Sequence, residues 1–418
     1  RLFDSSHRVH AGGAMKTTLD SIQARESQYV LHTYRRQPVA FVRGEGPRLY
    51  DVDGREYLDF VSGIGVASLG HAHPGLAAAV ADQAATLLHT SNLYYHPFQA
   101  EAAARLSTLS GLSRAFFCNS GTEANEACLK FARRFWHTQG VRNRTSFVAI
   151  EQSFAGRTMG ALSVTWDEHY RTPFEPLLGP VTFVDPNSPE ALFAAVNDRT
   201  AAVIAEPIRG EGGIRPLPRA FSDAIAEVCR RTGTLLIADE IQTGLGRTGH
   251  PFHFQALGWN PDLVSVGKAL GSGIPVGAAL ISERVAKTIS AGDHGTTYGG
   301  NLLATRAATF FLEELMDRGL LDHVRSVGDH LERRLRTLAL KHPVVLEARG
   351  AGLMRGVELR VDATPAVDLA RERGLLVNRT NEKVVRLLPP LTITAAELDA
   401  GIDILDAVLA EVPAEVHA

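Results

Sequence analysis

Six short apolar runs dominate the middle of the sequence and set what it can fold into. They are SRAFFC (113–118), TSFVAI (145–150), VTFV (181–184), TAAVIA (200–205), TLLIA (234–238) and DLVSVG (262–267). All six are continuous rather than alternating. That pattern marks strands covered on both faces, as in a parallel sheet between two layers of helices. Helical patterns lie between them. In TEANEACLKFARRF, the residues Ala124, Ala127, Cys128, Phe131 and Phe135 share one face at 3.6-residue period. The expected fold is therefore α/β, with a mostly parallel central sheet flanked by helices.

With 418 residues, 45% hydrophobic and 21% charged, the chain can fill such a domain and a smaller one besides. The last hundred residues change character. FFLEELMDRGLLDHVRSVGDHLERRLRTLAL reads as two long amphipathic helices, GLMRGVEL and KVVRLLPPL as short strands, and 395–411 as a final helix. The expected division is a large domain over 71–308 and a small α+β domain over 309–418, with 15–70 contributing to the small one. Residues 1–14 show no periodicity and read as a tag remnant, an over-extended gene start or a floppy arm.

Composition excludes several classes. A net charge of -3 gives no reason to expect nucleic acid or an anionic membrane as partner. No apolar run approaches the roughly 18 residues of a membrane span, and no secretory signal is evident. Three widely spaced cysteines, Cys118, Cys128 and Cys229, suit a reducing cytosol better than a disulfide framework.

Polar residues follow directly on the apolar runs: Asn119 to Thr122 on the first, then Glu206, Asp239 and Lys268. Parallel sheets bind ligands outside the carboxyl ends of their strands, so four such positions point to one site. Ser120, Gly121 and Thr122 sit where a strand turns into a helix. Thr122 is expected as the N-cap, and the free N–H groups, hydroxyls and glycine make a phosphate cup. Asp239, at a buried strand end, needs a positive partner; the protonated ring nitrogen of pyridoxal phosphate is one. Gln242, a turn further on, could reach a neighbouring ring substituent. Lys268 is the one charged residue in LVSVGKALGSGIPVGAAL. A lysine in a dry pocket becomes a nucleophile towards carbonyls, and a Schiff base with an aldehyde cofactor explains its survival there.

Two motifs point elsewhere and are set aside. Gly244 to Gly249 matches G-x-G-x-x-G, but its first glycine comes six residues after Ala238 and no helix pattern opens within it, against the dinucleotide fingerprint. His71 and His73 lack accompanying metal ligands and read as a helix-entry turn before Pro74.

At these residues the chain resembles the class III, ornithine-type aminotransferases of fold type I, over essentially all of 29–411. The motifs that carry the likeness include FCNSGTEANEACLKFAR, SFAGRTMGALSVTW, AEPIRGEGG, ADEIQTGLGRTG, PDLVSVGKALGSGIPVGA, GDHGTTYGGN and VVRLLPPL. Within the class it looks most like acetylornithine aminotransferases. It looks closer still to their lysine-pathway relative, [LysW]-aminoadipate semialdehyde transaminase. Ala155 departs from the histidine many acetylornithine enzymes carry there. The resemblance implies that Lys268 carries the internal aldimine and moves protons, Asp239 holds the pyridinium, Gln242 the phenolic oxygen, and Phe154 the ring face. It implies phosphate contacts from Ser120, Gly121 and Thr122, and from Thr297 of a neighbouring subunit, with Thr296 near the substrate; hence a homodimer with shared sites, in the cytoplasm that the cysteines suggest.

It further implies that Arg157 holds the donor's carboxylate, that Arg386 holds the α-carboxylate of glutamate or 2-oxoglutarate, and that Glu211 masks Arg386 in turn. Planar guanidinium forks suit carboxylates. The expected reaction is a ping-pong transfer between glutamate and a terminal semialdehyde of lysine or arginine biosynthesis, with an amino-group carrier protein as a possible partner. Plain N-acetylornithine transamination, a bifunctional enzyme, an aminomutase and a pyridoxal-phosphate-binding regulator without catalysis remain as alternatives.

Overall fold

The computed structural model describes residues 17–413, so the reading of 1–14 as an arm lies outside the described residues. The six apolar runs all become strands of one seven-stranded sheet: β1 (Arg114–Cys118), β2 (Ser146–Ile150), β3 (Val181–Val184), β4 (Thr200–Ala205), β5 (Leu235–Asp239) and β6 (Leu263–Val266). The seventh, β7 (Gly277–Ile281), was not expected. Across the sheet the order is β1-β7-β6-β5-β4-β2-β3. β2 to β6 are mutually parallel, while β7 runs antiparallel between β6 and β1. Two reversals make β1 parallel to β6, so six strands still end at one edge.

Every residue of β4, β5, β6 and β7 is buried, as continuous apolar runs require. Each fully buried Val, Leu or Ile there contributes about 1.5–3 kcal/mol. The helix Gly121–Thr138 packs on this sheet through Ala124, Ala127, Cys128, Phe131 and Phe135, the face its periodicity indicates.

A second sheet joins the two ends of the chain. Strands Phe41–Glu45, Arg48–Asp51 and Glu56–Asp59 pair antiparallel, and the last pairs in parallel with Leu375–Leu376. Strands Val345–Ala351, Met354–Leu359, Asn378–Thr380 and Val384–Leu387 form a third, antiparallel sheet. The two long C-terminal helices are Leu302–Asp317 and Leu320–Lys341, and the final helix is Ala395–Leu409. The first of these runs across position 308/309 and packs on the helices Pro74–Thr86 and Pro97–Ser110. His73 is the N-cap of Pro74–Thr86, its Nδ1 accepting from Leu76 N–H at 3.3 Å, and His71 bonds Asp59 at 2.8 Å. Among the described residues no helix is long and apolar enough to cross a membrane, and no cluster of three or more ligand-type side chains could hold a metal.

The G-x-G-x-x-G stretch is a run of turns, and the next helix opens only at His253. Its role is to dock the third sheet. Arg247 is fully buried; its Nη1 donates to the carbonyls of Pro389 at 2.5 Å and Leu353 at 3.2 Å, and its own carbonyl accepts from Leu353 N–H at 2.9 Å.

Candidate active site

The carboxyl ends of β1, β4, β5 and β6 meet at a cavity of about 230 Å³, and the polar residues that follow the strands line it. Gly121, Thr122, Phe154, Arg157, Glu211, Asp239, Gln242 and Lys268 all face this one space. Arg386 joins them from the third sheet through Glu211 and Gln242.

Lys268 follows β6 by two residues and opens a short 3-10 turn. Its backbone is left-handed, φ +40°, a conformation that costs a non-glycine residue on the order of 1–3 kcal/mol and gathers at functional sites. Burial lowers the amine to about 8; Glu211, Glu206 and Asp239 pull upward and Arg386 downward. More of it is therefore neutral near pH 7 than for a surface lysine, which a nucleophile requires.

Asp239 ends β5 and is 5% exposed. Its Oδ2 accepts from Asn125 Nδ2 at 2.7 Å and its Oδ1 from Ile241 N–H at 3.1 Å. No arginine or lysine lies within ion-pair distance among the described residues, so a structural arginine is not its partner. Burial pushes the carboxyl up to about 6 against these bonds and Lys268. Asn125 was not singled out from the sequence. It also bonds the Ala155 carbonyl at 2.7 Å, tying the carboxylate to the loop after β2. The sequence offers only an amide next to the apolar face of the 121–138 helix, which does not name its partner.

The helix cap differs from expectation. Ser120, not Thr122, is the N-cap: its Oγ accepts from Glu123 N–H at 3.2 Å, and the helix already begins at Gly121. Ser120 is the residue whose backbone is still extended, which a cap requires. Its hydroxyl is thereby turned into the cap. The first amides of the helix, at Gly121 and Thr122, have no acceptor among the described residues. Thr122 Oγ1 accepts from Arg157 N–H at 3.2 Å, closing the loop after β2 over the cup. Gly156 makes that approach possible: its φ is +137°, and a Cβ there would lie 2.1 Å from Thr122 Oγ1.

Gln242 lies in a turn rather than on a helix, and points at Glu211 and Arg386. Arg386, 1% exposed, ion-pairs with Glu211 Oε1 at 2.5 Å and donates to Asn378 Oδ1 at 3.2 Å. Burial raises the Glu211 carboxyl, but Arg386 and Lys268 outweigh it and hold it below the usual range. Arg157 is exposed at the mouth, its guanidinium 3.7 Å from the centre of the Tyr170 ring and 5.4 Å from that of Phe154. Thr296 lies outside the cavity, where Asn119 Nδ2 reaches its Oγ1 at 3.3 Å. Thr297 is exposed and does not face this chain's own cavity.

The arrangement fits pyridoxal phosphate. Free helix amides and Thr122 can take a phosphate, a buried carboxylate with no cation beside it among the described residues can take a protonated ring nitrogen, and a largely enclosed lysine amine with no partner among them can take an aldehyde.

Comparison with known proteins agrees. Residues 29–409 match the family model described as aminotransferase class-III. The acetylornithine aminotransferase of Archaeoglobus fulgidus is 45% identical over 381 residues, 91% of this chain and 98% of the relative. That of Aquifex aeolicus is 43% identical, over 91% and 100%. Among solved structures, the ornithine aminotransferase of Toxoplasma gondii ME49 superposes with a TM-score of 0.90 at 32% identity, covering 94% of this chain and 95% of that one.

Proposed function

The chain belongs to the class-III aminotransferases, enzymes that depend on pyridoxal phosphate, and on that premise we propose that it is an N-acetylornithine aminotransferase of arginine biosynthesis. The observation that carries the reading is the Arg386–Glu211 pair. A buried guanidinium beside the nucleophilic lysine is masked by a carboxylate that can be displaced. Glutamate and 2-oxoglutarate carry an α-carboxylate that replaces Glu211 on Arg386. A donor whose reacting amine is remote from its carboxylate has nothing to put there, and Glu211 stays. Arg157, over the Tyr170 ring and without an ion-pair partner among the described residues, offers its fork to the carboxylate at the far end of either substrate.

When bound, pyridoxal phosphate supplies an aldehyde and an electron-withdrawing ring. The phosphate would lie on the amides of Gly121 and Thr122 with the Thr122 hydroxyl. The ring would lie against Phe154, and its nitrogen on Asp239. Lys268 Nζ would hold the aldehyde, and its amine would carry the proton to and from the carbon that bears the migrating amine. Its lowered pKa suits both duties near neutrality.

A second reading rests on Ala155, which is small, nearly buried and faces the cavity beside Phe154. The room it leaves suits the longer chain of an aminoadipate semialdehyde, free, acetylated or held on a carrier protein. The test is kcat/KM for N-acetylornithine against acetyl-lysine and a carrier-linked lysine. The expected ratio favours acetylornithine by roughly tenfold, as one methylene is worth about 1–3 kcal/mol. A ratio inverted in favour of the lysine compounds would move the assignment to lysine biosynthesis.

The homodimer belongs to the same proposal. Leu31, Tyr34, Leu93, Tyr94, Tyr95 and Tyr298 are each more than half exposed, large apolar side chains that a partner subunit would cover. Thr297 lies beside this surface, where it can serve a partner's phosphate. Light scattering is expected to return twice the chain mass, and a monomer at micromolar concentration would refute shared sites. The three cysteines are free and buried, which supports a cytoplasmic setting.

A further inference from the structure

Glu206 takes no part in the reading above. It directly follows β4, is 7% exposed and lines the cavity. Both carboxylate oxygens are engaged: Oε1 accepts from Phe154 N–H at 2.9 Å, and Oε2 from Gly210 N–H at 2.9 Å. The two amides belong to separate loops. One leaves β2 and carries Phe154, Ala155 and Arg157; the other belongs to the hairpin 208–216 and carries Glu211. No lysine or arginine lies within ion-pair distance of Glu206 among the described residues.

A carboxylate in that position is costly, because a buried charge without a close cation loses its hydration. Its chemistry explains why it is there. Two converging N–H donors need two acceptors on one side chain. A glutamine offers one acceptor and one donor, and the donor would face an N–H. Aspartate is one methylene short of the same reach. Burial and the neighbouring Asp239 push the Glu206 carboxyl up to about 8, against the pull of the two amides and Lys268; the two N–H donors aimed at its two oxygens are the geometry of the ionised form.

We propose that Glu206 is a positioning residue that sets two parts of the site as one unit: the Phe154 wall on which the cofactor ring would lie, and the Glu211 mask over Arg386. The inference rests on the transaminase reading and adds a cause for the alignment of its two halves. A shift in one loop is passed to the other through a single carboxylate. Glu206 therefore affects cofactor binding and recognition of the α-carboxylate together, without touching the migrating amine.

The test is Glu206→Gln in the full-length protein, beside wild type. Three quantities are read: the dissociation constant for pyridoxal phosphate by absorbance titration of the apo form, the absorbance maximum of the bound form, and KM against kcat for each substrate. An N–H left facing a donor predicts cofactor binding weaker by about tenfold to a hundredfold. A displaced absorbance maximum and a KM for 2-oxoglutarate raised several-fold more than that for the amine donor are expected with it. Unchanged cofactor affinity, absorbance and KM ratio, with only a lower melting temperature, would overturn the proposal and leave Glu206 a structural residue. Should Glu206→Gln not fold, Glu206→Asp keeps the charge, loses the reach and is read against the same outcomes. A wild-type protein without bound-cofactor absorbance or transamination would instead sink the functional reading itself.

Discussion

Replacing Lys268 with alanine is expected to abolish transamination, lowering turnover by at least about 10⁴-fold, because one side chain supplies both the covalent link and the proton transfer. The measurement is turnover with glutamate and the semialdehyde, together with the absorbance of the bound cofactor, which should lose its lysine-linked form. Turnover near that of wild type would end the mechanism. The fold should survive. Among the described residues the amine makes no hydrogen bond or ion pair, and alanine meets the same left-handed backbone that lysine does. Linkage adds a sign. The folded-state pKa of about 8 lies below the ordinary lysine value of 10.5, so the apo protein resists protonating this amine. That penalty is fully present below about pH 8 and vanishes above the unfolded value. Apo Lys268→Ala should therefore melt above apo wild type at pH 7, with the difference closing as pH rises.

Asp239→Asn should weaken cofactor binding by on the order of 10²–10³-fold. Separating a buried carboxylate from its cationic partner costs about 3–5 kcal/mol. Asparagine keeps the size and one acceptor but loses the charge. Absorbance titration of the apo variant measures the effect, and an affinity equal to wild type would remove Asp239 from the ring nitrogen. Its neighbour is a control. Glu240 is equally buried but faces away, accepting from Thr243 Oγ1 at 2.5 Å and Phe254 N–H at 2.6 Å. Glu240→Gln should lower the melting temperature while leaving the spectrum of the bound form in place.

The sheet was readable because burial on both faces leaves an unambiguous apolar run, and β1 to β6 begin and end within a residue or two of those runs. β7 was not, because Gly277, Ala278 and Ala279 carry little side chain and follow Gly271, Gly273 and Pro275, which interrupt any apolar run. Its burial comes from neighbours on both sides rather than from its own bulk. The site residues on strand ends were legible for a topological reason: parallel strands bring their carboxyl ends to one edge. Asn125 was hidden because a side chain on a helix shows its target only in space, 114 positions away at Asp239. The cap at Ser120 was misread as Thr122 because both residues are good caps, and only the backbone dihedrals separate them. For Glu206 the position was visible and the reason was not, since its two partners are backbone amides that have no identity in a sequence. The lysine-pathway leaning rested on the wording of GRTMGALSVTW, YRTPFEPL and VVRLLPPL, and the relatives reported above bear the acetylornithine name.

The Arg247 contact has a consequence for the conditions under which the enzyme keeps its alignment. Its guanidinium is held by carbonyl oxygens rather than by a carboxylate, away from solvent, and one of them, that of Pro389, lies three residues beyond Arg386. Exposed ion pairs weaken as dissolved ions screen them. A cation seated among peptide dipoles in a dry interior has no counter-charge for salt to compete with. The register that presents Arg386 to the substrate is therefore built to be indifferent to ionic strength. What salt can disturb is the final capture of the substrate's own carboxylates.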